Sequence, residues 1–496
     1  MMAGLLRRGR LRCAARGALC LAGALAALAA LAVPRSEAAQ SQARYLQALQ
    51  AAIELLPPGS QVAALVRDES GAELLSHNAG LLLQPASTLK LITAAAAQYA
   101  LGSDYRFVTR LAREQNGDAV MQFSGDPLFT RPALRRLLVD GRSNGLPDQL
   151  GRLLLDGSAF DGHAWSDAQG WDDRHTCFAA PASAISLDRN CFRASVRRGA
   201  IGQIASVDIA GNLPVSIRSD ARIVSPLEQQ RRFCRLELRH ASRGDYGLFG
   251  CASPGQLPLD LRVAVVDPES YVSWVVGDEA RRLGIDLGGG VVVERPSRGV
   301  TPLAEHRSRR LDYYLRRMLM VSDNQIADVV FKAIGAAHFA VPGNYRVGAA
   351  AVREVLLERA GIDLGNSVIA DGSGLSPHNQ LTADQLLQVL QRIAAMPGHS
   401  LFDALPVAGV SGTLKHRYGL AGDRLKGRIR AKTGYVNGNH NLAGYFTDSR
   451  NRRLTFVLFV SSYSLVPERG DTVGGSAAAA PAPVDRFFQT FFEGIL

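Results

Sequence analysis

The chain has 496 residues, of which 47% are hydrophobic and 20% are charged. This length exceeds what one hydrophobic core organises, so two or three domains are expected, and the composition excludes a disordered chain. The formal net charge is +11, but the basic residues are scattered and form no stripe with interleaved aromatic residues. Nucleic acid is therefore not predicted as a partner, and the positive balance favours an acidic polymer or surface instead.

The first 38 residues have the features of an export signal. Five arginines between Arg7 and Arg16 precede an apolar run from Gly17 to Val33, and a stretch of small residues follows. This order predicts a secretory signal peptide cleaved after Ala38. An uncleaved anchor is the alternative, but the run is shorter than the roughly 20 residues that span a bilayer. No integral membrane segment is expected after cleavage.

The first predicted elements after the signal are a helix, a hairpin and a second helix, over residues 40–56, 61–80 and 87–99. Pro85 and a capping serine mark the start of the second helix. From about residue 105 to residue 293, short β-like runs alternate with Gly, Pro, Asp and Asn clusters. This alternation predicts an inserted β-rich region.

Four cysteines remain after the predicted signal, and all lie in the β-rich region: Cys177, Cys191, Cys234 and Cys251. An even number in an exported protein predicts two disulfides, with three pairings open. Proximity in sequence favours Cys177 with Cys191 and Cys234 with Cys251. Neither C-x-x-C nor H-E-x-x-H occurs, so no metal site is predicted, and no cofactor is expected.

Helical periodicity returns after the insertion, over residues 311–337, 343–361 and 382–396. Residues 428–464 alternate and are rich in β-branched side chains, which predicts two strands joined by a turn at residues 448–451. Residues 484–496 predict a closing amphipathic helix. The predicted fold class is therefore a multidomain α/β protein, in which one α/β domain is split by a large β-rich insertion.

Lysine is rare in this chain, with five residues against 51 arginines, yet one lysine lies three residues after Ser87. At a helix start, Ser87 and Lys90 share one face about one turn apart, and backbone N–H groups there stabilise developing negative charge. A serine nucleophile needs a base. A lysine amine can serve when its surroundings lower its pKa, whereas arginine keeps its proton. The alternative interpretation is a helix-capping serine followed by a surface lysine.

Two further motifs follow in order. Ser322-Asp323-Asn324 flanks a predicted helix, and Lys432-Thr433-Gly434 opens a predicted strand. Each motif alone is weak, but the ordered trio S-x-x-K, S-D-N and K-T-G is typical of penicillin-binding proteins and class A β-lactamases. With it, the chain resembles the class C low-molecular-mass penicillin-binding proteins, the D-alanyl-D-alanine carboxypeptidase/endopeptidase family. Residues 125–127, 177–192 and 371–379 also resemble family segments.

The resemblance implies a transpeptidase-like domain carrying a nested insertion. The expected division is a signal peptide (1–38), a catalytic domain (39–105 and 296–496), a β-rich domain II (106–174 and 259–295) and a domain III with the disulfides (175–258). It also implies a periplasmic location and peptidoglycan stem peptides as substrates. β-Lactam antibiotics are the expected covalent inhibitors, and the oligomeric state is left open.

The resemblance implies catalytic roles for Ser87, Lys90 and Ser322 and a substrate-binding role for Asn324. Ser87 is the expected acylated nucleophile and Lys90 its general base. Ser322 is expected to pass a proton to the leaving amine. Asn324 is expected to bind the substrate's peptide amide and to order Lys90.

The same resemblance implies substrate-binding roles on the third motif. Lys432 and Thr433 are expected to hold the substrate's terminal carboxylate, and the charge of Lys432 is expected to keep Lys90 neutral. The oxyanion hole would use the backbone N–H groups of Ser87 and of Tyr435, the residue after Gly434. Relatives usually have Ser or Thr at the position of Tyr435, so one hydroxyl contact is missing here.

A subsite for the stem-peptide side chain is also implied, with Asp156 and Phe160 as its expected lining. Pro377 departs from the pattern, because relatives that recognise diaminopimelate often have a basic residue there. A turn aspartate and a core aromatic residue are the simpler interpretations of Asp156 and Phe160.

The expected function is an exported serine DD-peptidase that removes terminal D-Ala and cuts D-Ala cross-links. One alternative is a serine β-lactamase. That alternative needs a deacylating Glu between the second and third motifs, and Glu354 and Glu358, both in an amphipathic helical pattern, are the only Glu residues there. The other alternative is a non-catalytic sensor of β-lactams or peptidoglycan, against which the intact trio argues.

Overall fold

The computed structural model describes residues 41–296, 299–396, 400–463 and 482–496. The predicted signal peptide lies outside the described residues. Among those residues, no helix combines the length and the apolar character needed to cross a membrane.

The strands of the described residues form six sheets. In chain order they are β1 (Gln61–Arg67), β2 (Glu73–His77), β3 (Val108–Arg113), β4 (Ala119–Gln122), β5 (Gln149–Leu150), β6 (Leu153–Asp156), β7 (Cys191–Val196), β8 (Val207–Ile209), β9 (Ser216–Ser219), β10 (Arg222–Ile223), β11 (Glu237–Ser242), β12 (Asp245–Phe249), β13 (Cys251–Ala252), β14 (Leu259–Ala264), β15 (Asp286–Leu287), β16 (Val291–Val293), β17 (Thr301–Arg307), β18 (Ile429–Val436), β19 (Asn439–Thr447) and β20 (Arg453–Ser461).

The helices lie before, within and after the β-rich insertion. They are α1 (41–53), α2 (Lys90–Ala100), α3 (Arg131–Ser143), α4 (Pro226–Arg231), α5 (Pro268–Arg282), α6 (Leu311–Val321), α7 (Asn324–Phe339), α8 (Tyr345–Ala360), α9 (Ala383–Ala395), α10 (Ser400–Asp403) and α11 (Pro483–Ile495).

An antiparallel five-stranded sheet, in the order β18-β19-β20-β1-β2, is the centre of the first domain. Side chains alternate between the two faces of a strand, so both faces of this sheet can be covered. Ala63 and Leu65 of β1 belong to a core with α2 and α6–α9. Val62 and Val66 face the opposite way, into a core with α1 and the phenylalanines of α11. The sheet is therefore enclosed by helices on both faces.

The end of this sheet differs from the predicted pair of strands. The predicted turn between β19 and β20 is present, but a second hairpin separates β18 from β19 at Asn437-Gly438. Asn-Gly is a strong hairpin signal because such a turn needs positive φ, and Gly438 has φ +77°. The prediction of two strands was wrong in missing this turn. The turn makes β18, which carries Lys432-Thr433-Gly434, an edge strand.

The insertion contains a five-stranded sheet in the order β16-β6-β4-β3-β17, together with the smaller sheets. It also contains two longer helices, α3 and α5, that the β-rich prediction did not include. Thr130 caps α3 by accepting a hydrogen bond from the Ala133 N–H, and Asp267 caps α5 in the same way from Ser270. A capping residue followed by proline is a helix-start signal, so both helices were detectable in the sequence.

Strand pairing crosses two of the predicted domain boundaries. Strand β14 pairs with β7, and β17 pairs with β3, so boundaries at 258/259 and 295/296 each cut through a sheet. One core also includes residues of both predicted inserted domains, among them Leu111, Phe192 and Val263. The division of the insertion into domains II and III remains a prediction.

Two disulfides lie in the insertion, Cys177–Cys191 and Cys234–Cys251, with Cα–Cα distances of 5.5 and 5.7 Å. The pairing favoured by proximity is therefore confirmed. The first disulfide closes residues 177–191 into what we call the Cys177–Cys191 loop. This loop contacts the helices of the first domain, as described below.

Candidate active site

Ser87 lies in a 3-10 turn, Ala86–Leu89, that continues directly into α2. No side chain caps the start of the turn or of α2, so the expected serine cap is absent. In 3-10 geometry the side chains at positions i and i+3 eclipse. The Nζ of Lys90 accordingly lies 2.9 Å from the Ser87 Oγ. Ser87 is partly exposed, whereas Lys90 is fully buried, which excludes the surface-lysine interpretation.

The Lys90 amine has two further neighbours, the Asn324 Oδ1 at 2.7 Å and the backbone carbonyl of Ser373 at 2.6 Å. Burial lowers the pKa of Lys90 from its ordinary value, although Asp328 and two further carboxylates oppose the shift. Burial also raises the pKa of Asp328, and the charge of Asp371 adds to that rise. The site thus contains an amine and a carboxylate that both disfavour their charged forms.

The second motif lies between two helices. Helix α6 ends at Val321, Ser322 adopts a left-handed conformation with φ +59°, and Asp323 caps α7 by accepting from the Ile326 N–H at 3.2 Å. The left-handed conformation costs a non-glycine residue roughly 1–2 kcal/mol, and such strain is concentrated at functional sites. The break turns the Ser322 side chain toward the third motif.

Lys432 on edge strand β18 completes the cluster. Its Nζ donates to the Ser322 Oγ at 2.9 Å and to the Thr433 carbonyl at 2.7 Å. Lys432 is fully buried, and burial, followed by the charge of Lys90, holds its pKa well below the ordinary lysine value. Gly434 allows the close approach, since a Cβ there would lie 2.8 Å from the Pro85 carbonyl oxygen.

The two predicted residues beside Lys432 differ in exposure. Thr433 is nearly buried, and its hydroxyl donates to the Thr413 Oγ1 at 3.0 Å. Tyr435 is 62% exposed and its ring lies 4.8 Å from that of His440. The tyrosine side chain therefore stands at the surface next to the cluster.

The Cys177–Cys191 loop contacts the second motif from the insertion. The Asn324 amide donates to the Phe178 carbonyl at 2.8 Å, and Gln325 donates to the Pro181 carbonyl at 3.2 Å. Arg189 forms an ion pair with the Asp323 carboxylate at 2.6 Å. The disulfide-closed loop thus fixes the start of α7, which carries Asn324.

The structure does not bring Asp156 and Phe160 to this cluster. Asp156 ends β6, and its carboxylate accepts from the Ser158 N–H at 2.9 Å and from Gln122 at 3.3 Å. The Phe160 ring packs against Gly125 and lies 5.8 Å from the Lys332 amine. Neither residue lines the cavity that opens beside Ser322. These positions match the simpler interpretations, a turn aspartate and a packed aromatic residue.

Sequence reasoning assigned no catalytic role to the loop of residues 371–379, which supplies the Ser373 carbonyl. Its geometry depends on Gly374, which has φ +79° and at which a Cβ would lie 1.9 Å from the Ala86 carbonyl oxygen. The Asp371 carboxylate holds the loop by accepting from the Gly374 and Ser376 N–H groups. Two glycines within four residues were the available signal for such a close approach.

No group of three or more His, Cys, Asp or Glu side chains is arranged to hold a metal ion within the part of the chain that the structure describes.

The site combines a serine–lysine pair in a helix-start turn, S-D-N between two helices and K-T-G on the adjacent edge strand. The α/β domain that carries it is split by an insertion. This arrangement is that of a low-molecular-mass penicillin-binding protein. Residues 45–475 match the model of the D-Ala-D-Ala carboxypeptidase 3 (S13) family. The chain belongs to this family.

Two relatives illustrate the match. D-alanyl-D-alanine carboxypeptidase DacB of Haemophilus influenzae is 33% identical over 420 residues, which cover 82% of this chain and 87% of the relative. D-alanyl-D-alanine carboxypeptidase of an Actinomadura species is 29% identical, with 77% of this chain and 74% of the relative covered. The crystal structure of penicillin binding protein 4 (dacB) from H. influenzae superposes with a TM-score of 0.82 at 31% identity, over 90% of this chain and 98% of that one.

Proposed function

We propose that this protein is an exported, serine-type DD-peptidase of the periplasm. It removes the terminal D-Ala of peptidoglycan stem peptides and also cuts D-Ala cross-links, in both cases through an acyl-enzyme on Ser87. The observation that carries the proposal is the set of three contacts made by the Lys90 amine, with Ser87, Asn324 and the Ser373 carbonyl.

These contacts suit a neutral amine. A neutral lysine has two N–H donors and one lone pair, whereas a carbonyl oxygen can only accept. The Asn324 Oδ1 and the Ser373 carbonyl use the two donors, so the lone pair faces the Ser87 hydroxyl, which donates to it. Asn324 keeps this orientation because its own amide N–H₂ donates to Phe178. Lys90 is then placed to act as a general base.

Acylation begins when Lys90 takes the Ser87 proton and the Ser87 Oγ bonds to the carbonyl carbon of the penultimate D-Ala. The backbone N–H groups of Ser87 and Tyr435 stabilise the oxyanion. Lys432, charged when it meets the substrate carboxylate, holds that group together with Thr433. As the C–N bond breaks, Ser322 relays to the leaving nitrogen the proton that Lys90 took from Ser87, which restores the neutral amine. Water then attacks the ester as Lys90 takes its proton, and that proton returns to the Ser87 Oγ as the peptide acid leaves.

Relatives support this assignment. The H. influenzae and Actinomadura proteins bear the name D-alanyl-D-alanine carboxypeptidase. A second structure of the H. influenzae protein contains a β-lactam, and it superposes with a TM-score of 0.78 at 30% identity. We therefore expect β-lactams to acylate Ser87, because their ring carbonyl takes the place of the D-Ala-D-Ala peptide bond.

Slow hydrolysis of the β-lactam adduct is expected. The two Glu residues between the second and third motifs lie in α8, and both are exposed. The Glu354 carboxylate lies there within hydrogen-bond distance of the His338 Nε2, at 3.0 Å. Neither Glu is placed to activate a water at the Ser87 ester, so the β-lactamase alternative lacks its base.

The test is digestion of purified monomeric and cross-linked muropeptides by the wild-type protein and by Ser87→Ala, with the products weighed by mass spectrometry. We expect D-Ala release and dimer cleavage by the wild type alone, together with a single penicillin adduct on Ser87. A penicillin adduct without peptide cleavage would favour a sensor. Rapid repeated turnover of a chromogenic cephalosporin would favour a β-lactamase.

A further inference from the structure

A cavity of about 750 Å³ opens beside the second motif, between the start of α7 and the insertion. The second motif lines it through Ser322, Asp323 and Asn324. The Cys177–Cys191 loop, the strands β7 and β14 and the C-terminal part of α6 line it as well. Its volume falls within the roughly 300–1,000 Å³ of sites that bind small molecules, and no step of the proposed acylation uses the residues of β7 and β14.

The cavity has an excess of positive charge. Four arginines line it against two aspartates, and the arginines are Arg189, Arg193, Arg262 and Arg317. One aspartate, Asp323, is shared by Arg189 at 2.6 Å and Arg317 at 3.5 Å. The other, Asp188, accepts from the backbone N–H of Arg131, and burial raises its pKa. Two arginines are therefore left without a carboxylate in this cavity.

These two are Arg193 on β7 and Arg262 on β14, which lie directly opposite each other in the antiparallel pair. Directly opposite like charges destabilise a sheet. Both side chains are exposed, and neither forms an ion pair in the described part of the chain. Asp260, two residues along on the same face of β14, pairs with neither. An anion bound between the two guanidinium groups would remove the repulsion. It would also accept hydrogen bonds from the guanidinium N–H groups, whose planar arrangement matches a carboxylate.

The position of the cavity decides which part of the substrate reaches it. Ser322, proposed to protonate the leaving nitrogen, lines the cavity, and Lys432 beside it is proposed to hold the first carboxylate. A carboxypeptidase substrate ends there, because its leaving group is one D-Ala. In a cross-linked substrate the leaving nitrogen carries a second stem peptide, which is longer and bears further carboxylates.

We propose that Arg193 and Arg262 bind carboxylates of the leaving stem peptide and so determine specificity for cross-linked substrate. This inference rests on the proposed function. The arginine pair contacts the departing strand and not the acyl group, so it contributes to dimer cleavage alone.

The test compares Arg193→Gln/Arg262→Gln with a matched control, Arg198→Gln/Arg218→Gln, whose exposed arginines lie in the insertion outside the cavity. The wild type and both variants are assayed for kcat/KM on a monomeric pentapeptide and on a cross-linked dimer. A second dimer, with its leaving-strand carboxylates amidated, is assayed as well. Penicillin acylation and the Tm report on the fold.

We expect the cavity variant to lose about tenfold in kcat/KM on the free-carboxylate dimer, since two partly exposed ion pairs disappear. D-Ala release, acylation and the control variant should be unchanged. Amidation should lower the wild-type rate and abolish the difference between wild type and variant.

Equal rates of wild type and variant on the free dimer, or equal losses on dimer and monomer, would overturn the inference. A wild-type protein that releases D-Ala but cuts no dimer would also overturn the inference, although the carboxypeptidase assignment would stand. Failure of the wild type on both substrates would instead reject the proposed function, and the inference with it.

Discussion

At the scale of single residues, the rarity of lysine acquires a physical explanation. Three of the five lysines are buried, namely Lys90, Lys332 and Lys432, and burial lowers the pKa of each. For Lys332, which donates to the His163 and Ala182 carbonyls at 2.8 Å, the pKa falls to about 8. Arginine would stay charged in such places. The chain therefore has lysine at buried positions, where the side chain either has to lose its proton or has to fit a confined space.

Replacing Lys90 with arginine should abolish acylation while the protein stays folded. The guanidinium cannot accept the Ser87 proton, and loss of a general base lowers rates by about 10²–10⁴-fold. The measurement is the rate of labelling by a fluorescent penicillin, with the Tm as the check on folding. Lys415→Arg, at an exposed position, is the control and should label normally. Retained labelling of Lys90→Arg would contradict the assignment of Lys90 as the base.

The acylation rate should fall as the pH drops through the lowered pKa of Lys90, because protonation removes the base. The charge of Asp328 raises the pKa of Lys90. Asp328→Asn should therefore move the acid limb of the pH–rate profile to lower pH. The exposed Asp423→Asn is the control. A limb that stays in place, or moves to higher pH, would show that Asp328 does not act on Lys90 in this way.

At the scale of elements, close backbone approaches assemble the site. Edge strand β18 and the loop of residues 371–379 both press against the 3-10 turn that carries Ser87, and glycines stand at both contacts. A side chain at either of these two positions would clash with the turn. Both positions therefore require glycine, although glycine contributes no reactive group.

Gly374→Ala should both destabilise the fold and slow acylation. Its Cβ would meet the Ala86 carbonyl oxygen at 1.9 Å, which displaces the Ser373 carbonyl from Lys90. Gly284→Ala is a matched control, because Gly284 has a similar φ of +74° and an added Cβ would meet nothing within 4 Å. The control should lose only the roughly 1–2 kcal/mol of the left-handed conformation.

Chemical denaturation and penicillin labelling measure the two effects for each variant. We expect Gly374→Ala to lose more stability than Gly284→Ala, and to be the only one of the two with slower labelling. Equal behaviour of the two variants would show that the loop does not support the base.

The sequence predicted the elements better than their contacts. The helix that follows Ser87, the helices after the insertion and the β19–β20 turn all follow from periodicity and turn residues. Helices α3 and α5 and the Asn437-Gly438 hairpin were missed although their signals are present. The two glycines beside Ser373 indicate a close approach but not which carbonyl meets Lys90, and the Thr413 hydroxyl had no signal, since threonine is common. Their positions depend on tertiary packing, which local patterns do not encode.

At the scale of the whole molecule, the insertion contributes directly to the site. The Cys177–Cys191 loop accepts from Asn324 through the Phe178 carbonyl and pairs Arg189 with Asp323. Residues 188–190 all have positive φ, a strained conformation that persists only when its surroundings enforce it. The disulfide at Cys191, one residue further on, helps to hold residues 188–190 in this conformation.

Removing the Cys177–Cys191 disulfide as Cys177→Ala/Cys191→Ala should slow penicillin acylation, because the loop that orders Asn324 is released. The other disulfide is a matched control, since sequence separations of 14 and 17 residues close loops of similar size. Each disulfide should contribute about 3 kcal/mol to stability. We expect Cys234→Ala/Cys251→Ala to lower the Tm comparably but to acylate normally. Equal acylation by both variants would show that the loop does not act on the site.

The burial of three lysines also determines how the protein reacts with reagents aimed at primary amines. Lys415 and Lys426 are the two lysines with exposed side chains, and both lie within twelve residues of one another. An N-hydroxysuccinimide ester should therefore attach a dye or a resin at these two side chains and at the N-terminal amine. Antibiotic capture should survive such coupling, so the immobilised protein would serve as a probe for ligands of its pocket.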